Sequence, residues 1–245
     1  AATTLRQLHR ATRLTVSDAI DIALSTEVND ADLWQARLAR AKDRARLSVA
    51  AGALCKQVLH WNRRADADST GATAFRFWME AVGARAIGAA RAGKTPPEDI
   101  PDTDLTAALE KAAERLNTTY GKLEVKWGDI HRVGRTGSKK SWPVGGGSIP
   151  GVATPRAISF APNGDGKTWI GRGGQTSVQV VQLSNPPRSW TLLPLGQSDR
   201  PTSPHFDDQA EKLFSPGKMK STYFLDRKQL MKHVTSTTVL RFIRP

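Results

Sequence analysis

Residues 196–214 read GQSDRPTSPHFDDQAEKLF, and the predicted organisation of the chain is built outward from this segment. It follows a predicted β-strand at residues 190–195. Its first half is rich in Gly, Pro, Ser, Thr and Asp, the residues that favour turns. Its second half places Phe206, Ala210 and Leu213 at helical spacing, which predicts a short helix. The composition alone is typical of a surface loop, whereas the full pattern predicts a strand, a stiff turn and a helix that packs back.

The size and composition predict a globular protein. The 245 residues are enough for a substantial core in one or two domains, and 39% of them are hydrophobic, with seven Trp and seven Phe. No apolar run reaches the roughly 18 residues that span a bilayer, so no membrane partner is expected. The first residues, AATTLR, lack the apolar core of a signal peptide. Either the chain is cytosolic, or a targeting segment lay upstream and was removed.

The net charge of +13 makes nucleic acid a partner to consider. The basic residues are spread along the chain, however, and no zinc-finger spacing, basic zipper or RNA-binding signature is present. This distribution favours a solvated basic face, and an acidic partner chain would balance it. Cys55 is the single cysteine, so no disulfide forms within the chain, and it is predicted to be a buried, inert thiol.

Residues 1–120 are predicted to be helical. A first cap lies at Thr15 with Asp18 behind it, and a second helical region opens after Asp30 and continues to Trp61. A third helix is predicted to end at Gly93, before two prolines. A fourth begins at Asp102 or Thr103 and runs to Leu116. The apolar residues predicted to face the core are Leu47, Ala51, Leu54, Val58, Trp61, Phe75, Trp78, Met79, Val82, Ala86, Leu105, Ala108, Leu109, Ala112 and Leu116.

Residues 121–245 are predicted to be β-rich. Leu123, Val125 and Trp127 alternate, as the residues of a half-buried strand do. A Gly-rich loop follows, and further elements are then predicted at 157–160, 168–170, 177–183, 190–195 and 237–242 as strands and at 226–233 as a short helix. Helices followed by a sheet give an α+β fold. The regions 1–120 and 121–245 are predicted to be parts of one larger domain.

Two short motifs resemble ligand loops but lack a necessary part. Residues 161–168 fit a loose phosphate-loop pattern, yet hairpin sequence follows where a helix N-terminus is needed. Residues 66–71 copy the start of a calcium loop, but Phe77 stands where the bidentate acid belongs. The second motif is therefore predicted to be a turn before a helix, with Asp68 or Ser69 as its N-cap.

The histidines do not form a convincing site. His205 with Asp207 and Asp208 is explained more simply by helix capping than by metal binding. The other four histidines have no ligand-like spacing, and no Gly-x-Ser-x-Gly elbow supports a catalytic triad. The residues alone therefore predict no catalytic, cofactor-binding or metal-binding group, and no cofactor is expected.

The exact sequence of the 196–214 segment nevertheless resembles the C-terminal signature of the penicillin acylase family, whose members are N-terminal-nucleophile hydrolases. It looks closest to the branch of acyl-homoserine-lactone, aculeacin and penicillin V acylases. The matching residues are Gly196, Gln197, Ser198, Pro201, Ser203, Pro204, His205, Phe206, Asp208, Gln209, Leu213 and Phe214. Three more segments resemble the family in the same order: 58–72, 127–132 with the Gly145–Gly147 loop behind it, and 177–183.

The resemblance implies an αββα sandwich, made when a precursor cleaves itself into two chains. It also implies a Ser nucleophile at the N-terminus of the larger chain, whose α-amino group is the base, beside an oxyanion hole. This chain begins with Ala1, and its matching segments belong to the second half of the family's larger chain. No catalytic residue is therefore carried onto it. The nucleophile is expected upstream, on the partner that completes the enzyme.

Two functions remain open at this point. One is the C-terminal part of an amide hydrolase that removes an acyl group from an acyl-homoserine lactone, a lipopeptide or a penicillin, inactive without its partner chain. The alternative is a stand-alone basic binding module, possibly for nucleic acid, whose binding would weaken with salt. The family resemblance further implies a periplasmic or secreted location.

Overall fold

The computed structural model describes residues 2–83, 88, 100–135 and 140–242. Within these ranges the helices are α1 (Ala2–Arg10), α2 (Val16–Ala23), α3 (Ala31–Lys42), α4 (Val49–His60), α5 (Thr70–Val82), α6 (Asp102–Tyr120), α7 (Trp127–Ile130) and α8 (Arg227–Met231). A π-helical turn lies at Ala210–Phe214. The chain is mixed α+β, as predicted, with helices before strands.

Side-chain caps explain where several helices begin. Thr15 caps α2 in a capping box with Asp18, as predicted. Ser69 caps α5 by accepting from the Ala72 N–H at 3.1 Å, so residues 66–71 are the predicted turn before a helix. Ser48 caps α4 and ends the continuity that was predicted from Asp30 to Trp61. Glu110 of α6 fixes this break by accepting from the Ser48 N–H and hydroxyl at 2.8 and 2.6 Å.

The helices α3 to α6 enclose the larger apolar core. Trp34 and Trp78 meet edge to face, with ring centroids 6.0 Å apart, and the Trp78 indole N–H donates to the Leu105 carbonyl at 2.9 Å. Most of the residues predicted to face the core are buried, including Leu54, the five of α6 and three of α5. Leu47 and Val82 are half-buried at the edge of this core. Ala86 lies outside the described residues.

The strands form three small sheets. Their bounds are β1 (His131–Val133), β2 (Trp142–Pro143), β3 (Ser148–Ile149), β4 (Val152–Ala153), β5 (Ile158–Pro162), β6 (Trp169–Gly174), β7 (Val178–Gln182), β8 (Arg188–Leu192) and β9 (Lys220–Thr222). The strand orders are β2-β1-β6-β5, β3-β4 and β7-β8-β9. All pairs are antiparallel except β1 with β6. The predicted strands at 157–160, 168–170, 177–183 and 190–195 are thus confirmed, with shifted ends.

The predicted strand through Leu123, Val125 and Trp127 is wrong. These residues form a turn that enters the short helix α7, and only β1 behind it is a strand. The backbone N–H groups of Trp127 and Gly128 donate to the carbonyls of Ser69 and Ala67 at 2.9 and 2.7 Å. These donors are therefore bound to a loop and not to a neighbouring strand. Val125 and Trp127 are buried because they pack on the helical core. Their alternation reflects that contact and not a pleated strand.

Other predicted boundaries also change. Gly83 ends α5 with a φ of 104°, and the predicted continuation to Gly93 falls outside the described residues. The Gly-rich loop before Gly151 contains the short strands β2 and β3, while residues 136–139 are outside the described ranges. Residues 237–242 form no strand within the described part of the chain, so this prediction is wrong. The short helix predicted at 226–233 is confirmed as α8.

Candidate functional site

The 196–214 segment is a closed loop that returns onto the end of its own strand. The Gly196 N–H donates to the Phe206 carbonyl at 3.2 Å, and the Ser198 N–H donates to the His205 carbonyl at 3.1 Å. A Cβ atom on Gly196 would lie 1.9 Å from the His205 carbonyl oxygen. Glycine is therefore required here because the two backbones approach too closely for any side chain.

The Arg135 side chain, which lies outside this segment in the sequence, stabilises the loop by binding three of its residues. Its Nε donates to the Phe206 carbonyl at 2.7 Å and its Nη2 to the Gly196 carbonyl at 2.9 Å. Its Nη1 donates to Asp199 at 3.0 Å, and the guanidinium lies 4.9 Å from the centroid of the Phe206 ring. One planar cation thus connects the beginning of the segment, at Gly196 and Asp199, to its middle, at Phe206. No local sequence signal marks Arg135 for this role, because it stands 61 residues before Gly196.

The hydroxyl and imidazole groups of the loop are used for turns. Ser198 accepts from the Arg200 N–H at 3.2 Å, and Ser203 accepts from the His205 N–H at 3.1 Å. The exposed His205 ring lies 3.1 Å from the Asp208 carboxylate through Nδ1, as a helix-start contact rather than a metal centre. No hydrogen bond joins either serine hydroxyl to the His205 ring in the described part of the chain. The loop therefore provides no Ser–His pair.

A buried arginine fastens the far end of the segment. Arg156 is 5% exposed, donates to the Phe214 carbonyl and lies 5.0 Å from the centroid of the Phe214 ring. Burial lowers the pKa of its guanidinium to about 10, which still leaves it charged at neutral pH. Phe214 and Ala210 pack into the smaller apolar core, on Val133, Ile158 and Leu192. Arg135 and Arg156 together hold both ends of the 196–214 segment against the sheets.

The Gly145–Gly147 loop fits around the same arginine. Gly146 has a φ of 88°, and a Cβ atom on it would lie 2.3 Å from the Arg156 carbonyl oxygen. The Gly147 N–H donates to that carbonyl at 3.1 Å. The Trp127 indole N–H donates to the Gly146 carbonyl at 3.1 Å. The Gly-rich loop is thus a packing element between α7 and the sheets, and its glycines are needed for close approach.

A second polar cluster is buried between the helices and the first sheet. Arg76, 2% exposed, donates through Nε to Glu80 at 2.8 Å and through Nη1 to the His131 Nε2 at 2.5 Å. Its guanidinium lies 4.5 Å from the centroid of the Trp169 ring. Arg115 donates to the second Glu80 oxygen at 2.8 Å. Arg76 and His131 are buried, Glu80 is half-buried, and Arg115 lies at the exposed edge of the cluster.

The chemistry of that cluster is structural. Burial and the neighbouring Arg76 cation hold the pKa of His131 well below its ordinary value. The neutral ring donates from Nδ1 to the Trp127 carbonyl at 3.0 Å, so Nε2 carries the lone pair that accepts from Arg76. A base must offer that lone pair to a substrate, and here it is already occupied. His131 therefore fixes Arg76 and does not take protons.

The remaining reactive groups are also unsuited to catalysis. Cys55 is buried, and burial raises the pKa of its thiol, so it stays protonated and inert as predicted. Residues 161–168 form a hairpin turn in which Asp165 accepts from the Lys167 and Thr168 N–H groups. Among the described residues, no group of three or more His, Cys, Asp or Glu is placed to hold a metal ion. Over the same ranges, no helix has the length and apolar character to cross a bilayer.

A comparison with known protein families finds a match over most of the chain. The penicillin amidase family model matches residues 1–229, which is nearly the whole chain. The matched range contains both the 196–214 segment and Arg135, which holds it. The site consists of loops held by the half-buried Arg135 and the buried Arg156, without a nucleophile and base in contact among the described residues.

Proposed function

The chain belongs to the penicillin amidase family, whose members are amide hydrolases, and we propose that it is the C-terminal portion of an acylase. The N-terminal Ser nucleophile of that enzyme would lie outside this chain. The observation that carries the proposal is the 196–214 segment, which matches the acylase signature while its polar groups close a loop. The role of the chain is to brace the catalytic sheet.

The proposed reaction follows from the chemistry of an N-terminal serine. Its hydroxyl attacks the acyl carbonyl while its own α-amino group, which titrates near pH 7 to 8, takes the proton. An oxyanion hole stabilises the tetrahedral intermediate. The C–N bond then breaks, the amine leaves with the proton, and water hydrolyses the acyl-enzyme. None of these steps needs a side chain from this chain. Each step needs the sheet to keep the reacting groups in a fixed position.

The proposed substrates are amides with a fatty or aromatic acyl group, such as an acyl-homoserine lactone, a lipopeptide or a penicillin. The proposed partner is the remaining acylase chain or chains, produced with this one from a self-cleaving precursor. A periplasmic or secreted location is proposed on the family resemblance. These assignments rest on the branch that the 196–214 segment resembles.

Intact mass measurement and N-terminal sequencing of the purified enzyme test the proposal directly. We expect a co-purifying polypeptide that begins with Ser, and amide hydrolysis only when both polypeptides are present. Assays would use a long-chain acyl-homoserine lactone and penicillin V, with release of the amine as the readout. Full activity from the 26.7 kDa chain alone would show that the nucleophile assignment is wrong.

The net charge of +13 supports one alternative, a basic module that binds nucleic acid. Several arginines are already engaged inside the fold, however: Arg76 with Glu80, Arg135 with Asp199 and backbone carbonyls, and Arg156 with Phe214. They are unavailable to phosphates. Binding of a labelled duplex that falls steeply between 50 and 200 mM salt, at roughly the slope expected for several phosphate contacts, would favour this alternative.

A further inference from the structure

The C-terminal part of the described chain is exposed along its whole length. Every residue from Met231 to Phe242 is exposed, although the stretch contains large apolar side chains. Val239, Leu240 and Phe242 are 76%, 74% and 89% exposed. Isolated exposed apolar residues are common on proteins, but here Val239, Leu240 and Phe242 lie close together in the sequence, and clustered exposed apolar side chains mark an interaction surface.

The backbone of this stretch also has no partner. No hydrogen bond joins the backbone of residues 234–242 to another part of the described chain. Residues 234–240, VTSTTVL, are nevertheless rich in the β-branched residues that favour strands. A strand is stable only when a neighbouring strand accepts its ladder of hydrogen bonds. The sequence therefore specifies a strand whose neighbour is not among the described residues.

More exposed apolar side chains lie where the third sheet ends. Leu183 follows β7 and is 94% exposed, and Phe224 follows β9 and is 62% exposed. In the strand register, the ends of β7 and β9 both flank the start of β8 at Arg188 and Ser189. The unpaired stretch of residues 234–242 is separated from β9 by residues 223–233, which include the short helix α8.

Charge indicates what covers this region. Residues 218–242 contain six Lys and Arg residues and a single acid, Asp226, so the complementary surface is acidic.

We propose that residues 237–242 pair as an added strand with an exposed sheet edge of a second polypeptide that carries acidic side chains there. In the enzyme this second polypeptide is the remaining acylase part, so the proposal rests on the function proposed above. Backbone pairing supplies the affinity, while Leu240 and Phe242 on one face and Val239 and Arg241 on the other select the partner. A sheet edge favours a polypeptide over a lipid surface because only a polypeptide satisfies the backbone.

Amide hydrogen exchange in the complete, processed enzyme tests this pairing. We expect amides in residues 237–242 to exchange about 100-fold or more slowly in the complete enzyme than in the isolated chain. Equal exchange in the two samples overturns the proposal. Slow exchange that appears in the isolated chain only at high concentration would identify a second copy, and slow exchange only with phosphatidylglycerol vesicles a lipid surface. Both of these results also overturn it.

A pair of adjacent proline substitutions provides a matched control. A strand paired on one edge donates from alternate residues, so only one of Thr238 and Val239 donates to the partner. We expect one of Thr238→Pro and Val239→Pro to lower the protection of neighbouring amides about tenfold, and the other to lower it much less. Equal effects of the two substitutions would mean that side-chain packing, without a ladder, holds the segment, and would overturn strand addition.

The same experiments distinguish failure of the strand-pairing proposal from failure of the acylase proposal. Protection of residues 237–242 in a complex that lacks amide hydrolysis supports the strand pairing and contradicts the acylase assignment. Hydrolysis by an enzyme in which these amides exchange freely supports the acylase assignment and overturns the pairing.

Discussion

At the scale of the residue, close backbone contacts explain why the 196–214 segment has the residues it has. Replacing Gly196 with Ala puts a methyl group against the His205 carbonyl, which must move. We expect Gly196→Ala to lower the free energy of unfolding by about 1–3 kcal/mol, measured by urea denaturation. Gly173→Ala is the control, since a Cβ atom there meets nothing within 4 Å. Equal stability of the two variants would contradict the assigned contact.

His131 provides a second residue-scale prediction, in the pH dependence of stability. Because the folded protein keeps this ring neutral and its pKa low, the unfolded chain binds a proton that the folded chain does not as pH falls below about 6.5. Stability from this group is therefore present above pH 6.5 and is lost below it. His131→Gln keeps an acceptor for Arg76 but does not titrate.

We expect the unfolding free energies of the wild type and His131→Gln to converge as pH falls from 7 to 5. The wild type should lose up to about 1.4 kcal/mol per pH unit more than the variant. His60→Gln, at an exposed position on α4, is the control and should follow the wild type. Parallel curves for the wild type and His131→Gln would show that His131 is not held neutral.

At the scale of the element, one side chain decides whether the 196–214 segment is a rigid loop. Arg135→Lys keeps the charge but cannot donate to Phe206, Gly196 and Asp199 at once. We expect exchange of the Gly196 and Ser198 amides to accelerate about tenfold or more, with a loss of about 1–3 kcal/mol in stability. Arg200→Lys, exposed on the same loop, should leave both unchanged. Unaltered exchange of the Gly196 and Ser198 amides in Arg135→Lys would show that Arg135 does not stabilise the loop.

The elements also show how far the sequence predicts the fold. Helix α6 was predictable because its apolar stripe acts locally, although the helix continues to Tyr120 and does not end at the predicted Leu116. The hairpin of β7 and β8 was predictable from alternation around a proline turn. The segment from Leu123 to Trp127 could not be predicted correctly, because Val125 and Trp127 are buried by packing on the distant helical core and not by a neighbouring strand. Periodicity records which residues are buried and not what buries them.

The same limit applies to the site. The 196–214 segment could be found by its ordered pattern, and its turns could be predicted from Gly, Pro and Ser. The arginines that hold it could not, since a guanidinium that donates to backbone carbonyls leaves no local pattern. Arg135 and Arg156 stand 61 and 58 residues from the carbonyls they reach. Only the folded chain brings them to the loop.

At the scale of the whole molecule, the two predicted regions share one core. Trp127 and Ile130, which lie beyond residue 120, belong to the helical core, and Trp169 of β6 packs against it. The Trp127 ring stacks on the His131 ring, with 3.7 Å between the ring centroids, and contacts the Gly-rich loop. Residues of the helical and β-rich regions therefore contribute to the same apolar core.

Trp127→Ala tests whether this shared core couples the two regions. Removing a fully buried Trp should lower the free energy of unfolding by about 3–5 kcal/mol. Because the ring joins both regions, hydrogen exchange in α6 and in β5–β6 should accelerate together, and unfolding followed by circular dichroism and by fluorescence should keep one midpoint. Trp190→Ala, at a half-buried position in the third sheet, is the control and should cost less. If the α6 amides kept their wild-type exchange while β5–β6 lost theirs, the two regions would be independent folding units.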